Sequence, residues 1–482
     1  MAPGKRLLNL ETMNQAVLDV KVPILGSLWA RAVEMQREIN QGIVKPFGNI
    51  TRCTFGDQQA MGHKPRTFLR QVAALCTYPD LLNTEHFAED AKRRAREILK
   101  NLDNGSVGSY NPNYVSRVLP SKIATFLERR DGGVPANPRN IIVSGGMSKA
   151  ILNVLLLVVN EEEPLRTGFV VPVPHYPLYG DAIALFGATK VEYVLDEERG
   201  WAVNVDRIRE SLCAARKHCT PKVLCVLNPG NPTGHVLSRD NIEEIIRLAA
   251  EENLLLFADE VYQENVFAPG AVFHSLKKVL FEMGPEYSER VQLVSIYSIS
   301  KGISGECGLR AGYIEFVNVD RAVFEYFAIL KSYDIPSIIA VLAMEVLVDP
   351  PQPGDPSYET FQAEAQNLLS TQLEKARLAE EILNRAPGIH CNPIHGALYA
   401  FPRIQIPERA VSLAQERGQA PDVFFCHLLL EETGIVLVDG TSFGQAKGTY
   451  HFRISLLHPL EELKSILEKI VEFHGTFLQE YS

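Results

Sequence analysis

Lys301 stands in the string YSISKGISGECGLRAGY (297–313), after Ser298 and Ser300 and inside a glycine-rich turn that ends at Arg310. One amine, two hydroxyls and a guanidinium converge there on flexible backbone. A lone lysine is usually a solvated surface group, but three further strings bear on this one. LNPGNPTG (227–234) closes an apolar run with two Asn-Pro turns, and FADEVYQENVF (257–267) closes the next with Asp259, Glu260 and Tyr262. Both fall where open α/β sheets place ligands, outside the carboxyl ends of neighbouring strands. IIVSGGMSKA (141–150) reads as a strand, Gly145-Gly146 and a helix start, whose free N–H groups and dipole suit a phosphate. Each string alone is compatible with an ordinary turn; the four in this order point to a site for a small molecule.

Such loops need strands to hold them. Short β-branched runs predict strands at 140–144, 168–173, 189–194, 222–227, 254–258, 291–297 and 312–317. Several are apolar throughout, as strands buried on both faces are. Helical patterns at 147–159, 205–217 and 238–252 alternate with them, which predicts a largely parallel α/β sheet. DPPQPGDPSYETF (349–361) cannot continue a helix and marks a domain boundary. A long helical pattern at 358–385 and an alternating segment at 388–474 then predict a smaller α+β domain. The first 60 or so residues are too few for a core of their own and are expected to pack on the C-terminal domain or a partner subunit. The expected division is 1–64, an N-terminal arm and part of the small domain; 65–348, the large sheet domain; and 349–482, the small C-terminal domain.

The length, 482 residues, exceeds what one hydrophobic core usually serves. Hydrophobic residues at 46% and charged residues at 22% exclude a disordered chain, a coiled coil and a collagen-like polymer. A net charge of −10 lacks the basic surplus of a nucleic-acid binder, so a small-molecule partner is expected. The longest apolar run, ILNVLLLVV at 151–159, falls far short of the roughly 20 residues that span a membrane. The string MAPGKRLLNLETMN shows neither a signal-peptide core nor an Arg-rich transit pattern, so a cytoplasmic protein is expected. The eight cysteines are scattered without metal-ligand spacing; reduced, mostly buried thiols and no metal are expected.

With these strings in order, the sequence resembles the fold-type I aminotransferases that use pyridoxal phosphate, and within them the alanine aminotransferase group. The resemblance runs over nearly the whole chain. It includes PRTFLRQ (65–71), ERRDGG (128–133), PHYPLY (174–179), NPGNPTG, ADEVYQENV, SKGISGECG, CNPIHGALYAFP (391–402), FFCHLLLEETGI (424–435) and FGQAKGTYHFR (443–453). It implies that Lys301 is the Schiff-base lysine and the acid and base that moves the proton at the substrate Cα. Asp259 would pair with the pyridine nitrogen; Asn231 and Tyr262 would hydrogen-bond the cofactor's phenolic oxygen; Tyr176 would stack on its ring. Gly146, Met147 and Ser148 at the helix start, with Ser298, Arg310 and Tyr110 from a second subunit, would hold the phosphate. Arg453, helped by backbone at Gly56, would grip the substrate carboxylate. A homodimer with shared active sites is implied, moving the amino group of L-alanine or another small amino acid to 2-oxoglutarate.

Departures from the group's pattern cluster on the substrate side. YNPNYVSRVLPSK (110–122) has Val115 at a glycine position and Pro120 at an arginine position, so the entrance loop is expected to take another path. Thr54-Phe55-Gly56-Asp57, the turn at 439–444 and Gly146-Met147-Ser148-Lys149 differ as well. Lys149, a cation in the first turn of a helix, opposes the helix dipole unless an anion is near; it meets an extra anionic group or is solvated. Tyr114 is an aromatic wall for a larger substrate or part of the core. His175 reads as structural, and Cys307 as packed against its loop. These departures motivate a rival in which the same cofactor and lysine serve β- or γ-elimination or replacement, or carbon–carbon bond formation, with S-adenosylmethionine among the candidate substrates. A non-catalytic cofactor binder is a third reading, which the retained Lys301 and Asp259 oppose.

Overall fold

The computed structural model describes residues 10–20, 26–160 and 165–482; part of the N-terminal string read for targeting, residues 1–9, lies outside them. The central sheet has seven strands: β1 (Ile141–Ser144), β2 (Arg166–Val173), β3 (Thr189–Val194), β4 (Cys219–Leu227), β5 (Leu255–Asp259), β6 (Leu293–Ser298) and β7 (Gly312–Val317). They lie in the order β1-β7-β6-β5-β4-β2-β3. All run parallel except β7, which is antiparallel to both neighbours. Each predicted strand is present within a few residues. β6 and β7 are buried along their whole length, because helices cover both faces of the sheet.

This topology has a direct consequence for the site. The carboxyl ends of β1, β4, β5 and β6 reach the same edge, and antiparallel β7 begins there, with Gly312 in register with both Ser144 and Ser298. The loops that follow Ser144, Leu227, Asp259 and Ser298, and the residues that precede Gly312, are therefore neighbours.

The small domain centres on Phe452–Ser455, paired antiparallel with Tyr399–Ala400 and with Val438–Asp439. Its core includes Phe425, Phe452, Ile454, Leu467 and Ile470, joined by Leu28, Ala32 and Met35 of the helix Ser27–Asn40. Thr51–Arg52 adds a strand beside Ile435–Val436, so the segment that follows is carried to the cleft between the two sheets. The helix Tyr358–Asn384 starts with Phe361 in a large-domain core and ends with Ala376, Ala379 and Leu383 in the small-domain core. It spans the boundary rather than lying beyond it.

The segment expected to form a divergent entrance loop is helical. Tyr114–Val118 makes a π-helical turn that runs into the α-helix Leu119–Arg130. Pro120 follows the π-helical turn inside a continuous helical run, and a widened turn of this kind is where a helix accommodates an interior proline. Among the described residues no helix is long and apolar enough to cross a membrane.

Candidate active site

Asp259 ends β5 with a buried carboxylate that accepts a hydrogen bond from the Tyr179 hydroxyl at 2.8 Å and from the Val261 N–H at 3.3 Å. Burial pushes its carboxyl up to about 6, opposed by those two donors and by no cation. A carboxylate left this way favours a cationic N–H donor from a bound molecule. Lys301, in the turn after β6, donates from Nζ to the Gly56 carbonyl at 2.5 Å. Its Nζ lies 3.9 Å from Cys307 Sγ, and that thiol donates to the Ser300 carbonyl at 2.9 Å. Cys307 thus packs on its own loop and reaches the lysine as well.

Across the cleft, Arg453 donates from Nη1 to Asn231 Oδ1 at 2.9 Å and from Nη2 to the Thr54 carbonyl at 2.5 Å. Its guanidinium carbon lies 4.0 Å from the centre of the Tyr399 ring and 4.7 Å from that of Phe443. These rings hold the fork in one orientation by cation–π contact. Its Nε is buried without a partner. Tyr262 donates to the Tyr399 hydroxyl at 3.2 Å. Gly56 has no room for a β-carbon, which would collide with the Tyr399 hydroxyl.

At the other end of the cleft, Gly146 (φ +107°) precedes the helix Met147–Val158, whose first N–H groups have no side-chain cap. A β-carbon on Gly146 would stand 2.7 Å from Arg310 Nη2. The uncapped helix start and the guanidinium therefore lie against each other. Arg310 Nη1 donates to the Ser300 hydroxyl at 3.3 Å and the Cys307 carbonyl at 2.7 Å. Ser298 Oγ donates to the Ala311 carbonyl at 3.2 Å and accepts from the Ser300 N–H at 3.1 Å.

One cavity of about 330 Å³ is lined by Gly56, Met147, Ser148, Tyr176, Asn231, Asp259, Tyr262, Ser298, Lys301, Arg310 and Arg453. Ser300, Cys307, Phe55 and Tyr399 line it too, and Tyr179 supports it from behind Asp259. Sequence reasoning passed over Tyr179 and Tyr399. Tyr179 carried a signal, standing three residues after Tyr176 in the same PHYPLY string. Nothing local marked Tyr399. Tyr110 is 80% exposed and stands apart from the cavity. Lys149, 61% exposed, pairs with Asp334 at 2.6 Å and stands outside the cavity lining. Tyr114 is buried among Ile123, Leu127 and their neighbours, so it is core and not a substrate wall. His175 is buried, with its imidazole pushed down to about 4 by burial, and it stands outside the cavity lining.

Residues 75–470 match the model of the family "Aminotransferase class I and II". The chain belongs to this family. Its relatives include alanine aminotransferase 2 of Xenopus tropicalis, 52% identical over 99% of this chain and 91% of the relative. Alanine aminotransferase 1 of Homo sapiens is 50% identical over 99% of this chain and 96% of its own length. Among solved structures, an alanine aminotransferase from Pyrococcus furiosus superposes with a TM-score of 0.72 at 22% identity, covering 97% of this chain and 99% of that one. That likeness establishes the fold, which is fold-type I. This aminotransferase depends on pyridoxal phosphate. The residues present fit that cofactor: a buried carboxylate without a cation, an uncapped helix start beside a guanidinium and hydroxyls, and one lysine amine share a cavity.

Proposed function

We propose that this enzyme transfers the amino group of L-alanine to 2-oxoglutarate, with the site residues acting as follows. Pyridoxal phosphate, when bound, supplies an aldehyde to carry the amino group and a ring to accept the electrons released at the substrate Cα. Lys301 would hold the cofactor through its amine and would take and return the proton at the substrate Cα. Asp259, held by Tyr179, would pair with the pyridine nitrogen and favour its protonated form. Asn231 and Tyr262 would serve the phenolic oxygen and Tyr176 the ring. The helix start at Gly146–Ser148, Ser298 and Arg310 would hold the phosphate. Arg453 takes the substrate carboxylate as a two-pronged donor.

The observation that carries this reading is Arg453: a guanidinium 2% exposed, clamped between two rings, at the end of a cavity of only about 330 Å³. It suits a small amino acid, and relatives near 50% identity are named alanine aminotransferases. The rival eliminations and carbon–carbon bond formation drew on the changed segment at 110–120 and the altered turn at Asp439, and neither supplies a residue to the lining of this cavity. A homodimer is part of the proposal. Tyr110 is exposed, and so is an apolar run containing Tyr326, Ile329 and Tyr333, as suits a surface that a second copy covers. Eight unpaired cysteines suit a reducing compartment such as the cytoplasm. Pyruvate release from L-alanine, dependent on 2-oxoglutarate and abolished in Lys301→Ala, is the test; keto-acid release without 2-oxoglutarate turnover would sink it. Light scattering of the holoenzyme tests the dimer.

A further inference from the structure

On the far side of the Lys301 turn lies a second cavity, of about 800 Å³. Its walls come from the segment after Gly56, the start of the helix Thr67–Thr77, one face of the helix Tyr358–Asn384, the pair Ile303–Ser304 and Leu457. None of its lining residues lines the catalytic cavity.

Its lining carries more cations than carboxylates. Lys64, Arg66, Arg70 and Lys375 line it, and Glu364 is the one carboxylate among the described lining residues; Arg70 is paired with Glu306 at 2.7 Å. Glu364 accepts from the N–H and hydroxyl of Thr67 and pairs with Arg66 at 3.6 Å. Lys375 is 2% exposed and donates to a single acceptor, the Leu457 carbonyl at 3.1 Å, which also meets His63 Nε2 at 3.0 Å. An ammonium has three donors, so two are left over. Burial lowers this amine to about 8, with only the adjacent Glu374 opposing. Arg66 is 3% exposed; its Nε donates to the Ile303 carbonyl at 2.8 Å, its Nη1 donates to the Phe361 carbonyl at 3.3 Å and pairs with Glu364 at 3.6 Å, and its Nη2 is buried without any partner. Buried cations are ordinarily paired, because an ion taken out of water without a partner is strongly disfavoured. Lys375 meets no carboxylate at ion-pair distance among the described residues, and Arg66, though paired with Glu364, keeps one buried N–H group unmet in the same cavity. Met61, Phe87, Leu368 and Leu457 give the wall an apolar part beside polar residues such as Gln71, Asn367 and Thr371.

We propose that this cavity is a second ligand site, binding a small organic carboxylate whose head group takes the spare donors of Lys375 and Arg66 and whose apolar stem lies along Met61, Phe87 and Leu368. The site stands beside the catalytic one: Ile303 follows Lys301 by two residues, and Leu457 follows Arg453 by four.

The test uses holoenzyme carrying Arg453→Met, which removes the carboxylate grip of the catalytic cavity, and hexanoate as probe in calorimetric titrations. Hexanoate is expected to bind, to bind at least tenfold more weakly when Lys375→Met is added, and to regain affinity with Lys375→Arg; hexanol is expected not to bind. Equal affinity with and without Lys375, or no binding, overturns the proposal. Inorganic phosphate binding in a Lys375-dependent way while hexanoate stays silent overturns the carboxylate assignment. Wild-type holoenzyme gives a readout that needs no variant. Hexanoate is expected to slow acetylation of Lys375 by acetic anhydride at least threefold, read by peptide mass spectrometry, and unchanged labelling overturns the site.

Discussion

The Tyr179 hydroxyl donates to Asp259 Oδ2 at 2.8 Å and is a principal force countering the burial that raises this carboxyl to about 6. The bond spans 80 residues of chain and ties the head of the helix Leu178–Leu185 to the end of β5. A hydrogen bond to a charged group contributes roughly 1.5–3 kcal/mol. Tyr179→Phe is therefore expected to lower kcat/KM for L-alanine about 10- to 100-fold and to weaken cofactor retention. Steady-state kinetics and dialysis against cofactor-free buffer check both.

Asp259→Asn separates stability from function. The carboxyl is raised in the folded chain from 3.8 to about 6, so between those values the folded state holds a proton that the unfolded state has released. Apoenzyme stability from this group is then full below about pH 4, falls as the pH rises toward 6 and stays reduced above it. A shift of about two units corresponds to at most about 3 kcal/mol. Asparagine carries no such penalty. The variant apoenzyme is expected to melt higher than wild-type apoenzyme at pH 8, with the gap closing by pH 4, while the holoenzyme loses activity by orders of magnitude. Thermal melts of apo and holo forms across pH decide it.

Gly146 combines φ +107° with a β-carbon position 2.7 Å from Arg310 Nη2. Gly146→Ala is expected to cost roughly 1–3 kcal/mol of local strain and to displace that guanidinium. Cofactor affinity should fall about 10- to 100-fold while the secondary structure of the apoenzyme is retained, read by fluorescence titration with pyridoxal phosphate and by circular dichroism.

Arg453→Lys keeps the charge and loses the fork that reaches Asn231 and Thr54 as well as the planar stack on Tyr399. Loss of one charge-assisted hydrogen bond, roughly 1.5–3 kcal/mol, predicts a 10- to 100-fold rise in KM for L-alanine, seen in initial rates.

Lys149→Ala removes an ion pair with Asp334 whose lysine side chain is 61% exposed. Pairs so placed contribute little, and Asp334 retains Lys331 at 2.7 Å. Activity and melting temperature are expected to stay at wild-type values; a loss of activity would return Lys149 to the substrate side.

Local pattern was enough for the sheet and for the loops around Lys301, Asp259, Asn231 and Gly146. A strand period, an Asn-Pro turn and a helix start are properties of neighbouring residues, and a parallel sheet must bring the carboxyl ends of its strands to one edge. What only the tertiary structure decided were the partners that residues meet across the chain. Tyr179 beneath Asp259, Tyr399 against Arg453 and the Asp334 that neutralises Lys149 all join residues far apart in sequence. The entrance segment shows the same limit from the other side. Val115 excluded a glycine-like turn there, but only packing against the large-domain core decided that the alternative was a helix. Periodicity reports which face of an element is apolar, and it carries no record of which distant side chain will meet that face.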